Sequence, residues 1–144
     1  MKNILVTGGA GYIGSHIIEL LIKKKFKVFI IDNLSTGHRK LINKKAKFFK
    51  IDINNINFVS NMIEKNEIDS VIHLAAKLNV IEAERKPKLY FKNNVKGTLN
   101  LIKACNNKNI KNFLFSSTCA VYSDSIPLAR ENSMKNPKGV YGFT

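Results

Sequence analysis

Short apolar runs and longer amphipathic stretches alternate along the chain with little between them. Residues 2–7, Phe26 to Ile31, Lys47 to Ile51, Asp69 to Leu74 and Phe113 to Ser116 are near-continuous runs rich in Ile, Val, Leu and Phe. That is the pattern of strands buried on both faces. Between them, apolar residues recur at helical spacing. Residues 12–24 predict a helix with Ile13, Ile17, Leu20 and Leu21 on one face. Residues 56–65 predict another, through Ile56, Val59 and Ile63. A long helix is expected from Leu89 to Asn107, with Val95, Leu99, Leu101, Ile102 and Cys105 as its apolar positions.

Strands that alternate with helices predict an α/β fold whose parallel sheet is covered on both faces. Right-handed crossovers then give a doubly wound Rossmann sheet, ordered 3-2-1-4-5 as far as this chain reaches. From Asp124 to Gly139 the pattern turns polar, with Pro127 and Pro137. This predicts a loop over the C-terminal edge of the sheet, where open α/β sheets bind ligands. No repeat, low-complexity tract or linker divides the chain, and its 144 residues suit one domain.

Composition narrows the class. A hydrophobic fraction of 44% and a charged fraction of 24% are those of a soluble globular protein, and no run approaches a membrane span. The two cysteines, Cys105 and Cys119, suit a reduced cytoplasmic chain with packed thiols better than a disulfide framework. A net charge of +14 raises nucleic acid as a partner. The excess is nearly all Lys and is dispersed, while Arg occurs only at Arg39, Arg85 and Arg130, so nucleic-acid binding is not expected. Lys23 to Lys25 are expected at the solvated end of the first helix. His16, His38 and His73 have no Cys or carboxylate spacing that makes a metal site. Phe48 and Phe49 read as core and cover of a strand, and Asp124, Arg130 and Glu131 as a solvated loop.

The chemistry is concentrated at Gly8-Gly-Ala-Gly11-Tyr-Ile-Gly14, between the first strand and the first helix. Glycine there permits a sharp turn, close approach of a pyrophosphate and close helix–strand packing. The helix N-terminus adds unpaired N–H groups and a positive dipole end. Asp32 closes the next strand roughly 20 residues downstream, where a carboxylate accepts hydrogen bonds from a ribose diol and repels a 2′-phosphate. Together these features predict NAD. Asp52 also reads as a strand-end turn residue.

At Asp32-Asn-Leu-Ser-Thr-Gly-His38 the sequence closely resembles the UDP-glucose 4-epimerases, within the extended short-chain dehydrogenase/reductase family. The resemblance continues through Val71-Ile-His-Leu-Ala-Ala76, Asn93-Asn-Val-Lys-Gly-Thr98, Phe115-Ser116-Ser-Thr118, Val121-Tyr122 and Tyr141-Gly-Phe-Thr144, in family order and spacing. It implies that Gly8, Gly11, Tyr12, Ile13 and Gly14 hold the pyrophosphate. It places the adenine ribose on Asp32 and Asn33, beside the backbone of Leu34, Ser35, Thr36 and Gly37. Asp52 and Ile53 are implied to flank the adenine, with Leu74, Ala75 and Ala76 at the nicotinamide ribose. Ser116 is implied to contact the cofactor, and Asn93 to anchor the loops beneath it. Thr118 and Tyr141 stand at the catalytic positions. Where many epimerases carry a cofactor-contacting Lys, ungapped alignment puts Leu78, with Lys77 next to it.

The implied reaction is epimerisation at C4 of a UDP-hexose through a transient 4-keto sugar; a homodimer is one arrangement open to the full-length protein, and the sequence does not fix the oligomeric state. A tyrosine ordinarily titrates at about 10, so it acts as a base only where nearby positive charge favours phenolate. A threonine hydroxyl can orient the same oxygen. Tyr141-Gly-Phe-Thr144 ends the chain one residue before the Lys of the family's Tyr-x-x-x-Lys motif. The chain is therefore expected to be the N-terminal, cofactor-binding portion of such an enzyme, inactive alone and with its fifth strand left as an apolar edge. Two alternatives stay open. One is another nucleotide-sugar epimerase or a dehydratase, although Thr118-Cys-Ala-Val-Tyr122 lacks the carboxylates dehydration uses. The other is a non-catalytic NAD-binding module.

Overall fold

Five strands, β1 (Asn3–Thr7), β2 (Lys27–Asp32), β3 (Lys47–Lys50), β4 (Ser70–His73) and β5 (Asn112–Phe115), pair in parallel in the order β3-β2-β1-β4-β5. The computed structural model describes residues 2–108, 110–122 and 128–144. Asp124 and Pro127 of the expected polar loop lie outside these residues, and Arg130 and Glu131 are exposed. In the centre of the sheet Val6 is paired with Ile30 on one side and Ile72 on the other. The expected doubly wound order is observed.

Period-two alternation divides the apolar runs between two cores. Leu5, Phe29, Ile31 and Val71 face one layer of helices, α2 (Ile56–Lys65) and α5 (Gly97–Asn106), and meet Val59, Met62, Ile63, Leu101 and Cys105. Ile4, Val6, Val28 and Ile30 face α1 (Tyr12–Lys23) on the other side and meet Ile18, Leu21 and Ile22. Phe49 packs on the first core and Phe48 on the second, as the pattern implied.

Some expectations on helix faces need correction. Ile13 and Leu20 are both 58% exposed, and α1 buries Gly14 and Ile18 instead. The close approach of Gly14 to the β1 turn rotates the packed stripe away from the apolar positions on either side. The expected helix from Leu89 to Asn107 is three pieces: α4 (Pro87–Tyr90), a π-helical stretch over Phe91–Lys96, and α5. The π turn shifts the phase of the helix, and Leu99 ends half exposed. Two short helices had no apolar pattern long enough to announce them: α3 (Val80–Arg85), capped by Asn79, and α6 (Gly139–Phe143).

α1 and α2 close alike. Lys25 N–H bonds Ile22 O while Phe26 N–H bonds Leu21 O, and Glu67 and Ile68 repeat this on Glu64 and Ile63. Both closures are Schellman turns, with non-glycine residues at positive φ, Lys25 at 63° and Glu67 at 46°. Lys23 to Lys25 are solvated, as expected. Cys105 is buried, but Cys119 is exposed, because the short 3₁₀ turn over Cys119–Val121 carries its thiol outward.

Candidate functional site

The C-terminal ends of β1, β2, β4 and β5 open into one cleft of about 700 Å³. Its centre is the turn from β1 into α1. Gly8 sits at φ 72°, and a Cβ there would lie 2.8 Å from the backbone of Leu74 and Ala75. At Gly14 a Cβ would come within 2.4 Å of Gly8 O, so the helix enters against the turn itself. Only glycine allows both approaches. The first intrahelical bond, from Ser15 N–H to Gly11 O, leaves the amides of Tyr12, Ile13 and Gly14 without an intrahelical acceptor. All three residues line the cleft beside Gly8 and Gly11. No acidic side chain occupies the first turn of α1, so the dipole there is free to act on an anion. The cradle has the shape and polarity a pyrophosphate requires.

Asp32 ends β2 at the rim of the cleft, 9% exposed. Its Oδ2 accepts Ala10 N–H at 3.0 Å and its Oδ1 accepts Leu34 N–H at 2.8 Å. These bonds hold the carboxylate rigidly across the top of the cradle, and each oxygen keeps a second lone pair for a diol. Asn33, Ser35, Thr36 and Gly37 follow along the same wall. His38 N–H bonds Ala10 O and pins this loop to the cradle. Leu34, at φ 59°, turns the loop and is not itself part of the lining.

Beyond β3, Ile51 and Ile53 line the cleft while Asp52 does not. The Asp52 side chain accepts from the Asn54 backbone and amide, each at 2.8 Å, and from Asn33 at 3.3 Å. Partial burial pushes its carboxyl upward, but the Asn54 and Asn33 hydrogen bonds outweigh that and hold it below the usual carboxylate range. The strand-end turn reading thus describes its side chain.

The opposite wall is Leu74, Ala75 and Ala76, with both Lys77 and Leu78 following. Asn93 lines the cleft and donates to Asn94 Oδ1. The residue that joins the loops is Asn94, 7% exposed. Its side chain accepts Lys77 N–H at 2.9 Å and donates to Lys77 O and to Thr144 Oγ1, each at 3.1 Å. A polar residue in a helical pattern, beside a second Asn, carried no sequence signal to single it out.

Ser116, Thr118 and Tyr141 complete the lining. Thr118 Oγ1 accepts Ala120 N–H at 3.2 Å, which leaves its own proton to donate. Tyr141 lies on α6, whose two ends are held separately. Glu84 of α3 accepts Val140 N–H at 2.7 Å, and Thr144 is tied to Asn94. The cleft therefore gathers the glycine turn, the strand-end acid, and a hydroxyl and a phenol contributed by distant segments.

A doubly wound parallel sheet with these features at its C-terminal edge is a Rossmann-type domain. The profile of the NAD dependent epimerase/dehydratase family matches residues 4–144, and the chain belongs to that family. It is 42% identical over 143 residues to UDP-glucose 4-epimerase of Lactobacillus helveticus, covering 98% of this chain and 43% of the relative. The crystal structure of UDP-glucose 4-epimerase with UDP-glucose from Thermotoga maritima superimposes with a TM-score of 0.94 at 34% identity, over 98% of this chain and 47% of that one. UDP-glucose 4-epimerase from Brucella ovis in complex with NAD gives a TM-score of 0.94 at 38% identity, over 99% of this chain and 44% of that one. The chain spans less than half the length of these relatives.

Proposed function

We propose that this chain is the NAD-binding portion of a UDP-hexose 4-epimerase, acting on UDP-glucose and UDP-galactose. The observation that carries the reading is the single cleft that brings the Gly8–Gly14 turn and Asp32 together with Thr118 and Tyr141. In this reading the amides of Tyr12, Ile13 and Gly14 bind the pyrophosphate, and Asp32 takes the adenine ribose diol. Leu74 to Ala76 and Ser116 line the nicotinamide half. Bound NAD supplies hydride acceptance and return. Tyr141 accepts and returns the proton of the sugar hydroxyl, and the free proton of Thr118 orients that oxygen. Names borne by the relatives support the hexose, and the free thiols of Cys105 and Cys119 suit the cytoplasm.

Calorimetric titration of the purified chain with NAD tests the first half. Gly11→Ala places a Cβ 3.3 Å from Gly8 O, a contact relieved by a shift of a few tenths of an ångström and milder than the 2.4 Å approach at Gly14, and in this reading it sets a methyl group beside the phosphates. Its NAD dissociation constant is expected to rise at least about tenfold, a cost of roughly 1.4 kcal/mol. Equal affinity in wild type and variant would remove the cradle from the reading. For the second half, Tyr141→Phe in the natural gene product containing these residues is expected to lower UDP-galactose formation by about two to four orders of magnitude. Undiminished turnover would exclude Tyr141 as the acid–base group.

A further inference from the structure

His73 closes β4 directly beneath the cleft, 2% exposed, and nothing in the proposed chemistry uses it. Both ring nitrogens are engaged, Nδ1 by Thr7 Oγ1 at 2.5 Å and Nε2 by Thr98 Oγ1 at 2.9 Å. The proton positions follow from the groups at the ends of this line. Thr98 Oγ1 lies 2.5 Å from Asn94 O, and a carbonyl only accepts, so the Thr98 hydroxyl donates there. With its single proton committed, Thr98 meets His73 as an acceptor, and Nε2 must carry hydrogen. The ring is neutral, since burial beside Phe113 and Phe115 pushes its pKa down to about 4. Nδ1 is then bare and accepts from Thr7, whose oxygen in turn accepts Ala75 N–H at 3.4 Å. Every donor in the line has one acceptor. A flipped tautomer could still donate from Nδ1 to Thr7 Oγ1, but it would leave Thr98, whose proton is on Asn94 O, facing a bare Nε2 with no proton to offer.

The two ends of the line are working parts of the cleft. Ala75 lines its wall immediately against Gly8, and Asn94 sits in the π-helical stretch and ties Lys77 to Thr144 behind Tyr141. We infer that His73, held as the Nε2–H tautomer between Thr7 and Thr98, is a positioning residue that sets the glycine-cradle wall in register with the Asn94 clamp. A line of fixed polarity has one low-energy arrangement. It therefore pre-organises two cleft segments, the one that continues from the end of β4 and the π-helical stretch before α5. This role rests on the dinucleotide reading only for its effect on affinity; the tautomer does not depend on it.

Long-range proton–nitrogen correlation NMR on the ¹⁵N-labelled chain reads the tautomer directly. The expected spectrum has a protonated Nε2 and a bare Nδ1 for His73, unchanged down to pH 5. A protonated Nδ1 would overturn the assignment whether or not NAD binds. Thr98→Val keeps the side-chain shape but removes the acceptor of Nε2–H, and Thr98→Ser restores it. In Thr98→Val the amide resonances of Ala75 and Lys77 are expected to shift. Its NAD dissociation constant is expected to rise about tenfold, as for a buried donor left unpaired, and Thr98→Ser recovers both. If Thr98→Val only lowers the unfolding midpoint while affinity stays within twofold and those amides stay in place, His73 is a core residue without a positioning role. A wild-type chain that binds no NAD overturns the dinucleotide reading, and the tautomer and the Ala75 and Lys77 shifts then decide the register alone.

Discussion

His73 shows how a single buried side chain adds a slope to the pH response of this chain. Its pKa falls from 6.5 to about 4 on folding because burial disfavours the imidazolium. Between those values the unfolded chain binds a proton that the native chain does not. Stability is therefore full above pH 6.5 and falls as pH drops towards 4, by about 3 kcal/mol in all. Urea unfolding across that range should show this slope, and His73→Gln should flatten it. A wild-type curve that is level from pH 6.5 to 4 contradicts the burial argument. The cradle glycines divide by the same kind of local detail. Gly14→Ala forces a Cβ into Gly8 O and should destabilise the fold, whereas Gly11→Ala should chiefly weaken binding. Thermal melts set beside NAD titrations separate the two effects. The place of Asp32 at the rim of the cleft was legible from its spacing after the glycine turn, because the end of the second strand lies beside that turn in a doubly wound sheet. Asn94 was not, because its importance lies in contacts to Lys77 and Thr144, which are distant in sequence.

Among the elements, the two Schellman closures carry a removable cost. Lys25 and Glu67 occupy left-handed backbone, which disfavours a side chain by roughly 1–2 kcal/mol per residue. Lys25→Gly is expected to raise stability by about 1 kcal/mol once the entropy of the more flexible unfolded chain is deducted. Denaturant midpoints at unchanged m-value would register the gain; a loss would mean that Lys25 makes a compensating contact. α6 illustrates the opposite case, a five-residue helix too short to stand by itself and held by Glu84 and Asn94. Glu84→Ala should speed amide exchange at Val140 about tenfold, with Glu84→Gln, which retains an acceptor, close to wild type. The core strands were readable because apolar runs bounded by turn residues admit few other structures. α3, α6 and the π turn were not, since each depends on a partner segment rather than on its own periodicity.

At the scale of the whole molecule, the described sheet has β5 as an edge, with Leu114 and Phe115 each more than half exposed. Unpaired edge amides flanked by apolar side chains favour pairing with another copy. The isolated chain should therefore associate as its concentration rises, and Leu114→Lys should reduce this in sedimentation velocity. Saturation with NAD at a hundredfold excess over its dissociation constant should add about 2.7 kcal/mol of stability. The sequence by itself determined the strand order, the glycine turn and the acid at the end of β2, which follow from local conformational rules. The Thr118 and Tyr141 segments stood out only through their resemblance to a family. Only the tertiary structure decided which helix faces are buried, that Asp52 turns away from the cleft, that Cys119 is exposed, and that Asn94 and the His73 line bind the cleft together. Those outcomes depend on which distant groups meet in three dimensions, and no periodicity along a single segment encodes that meeting.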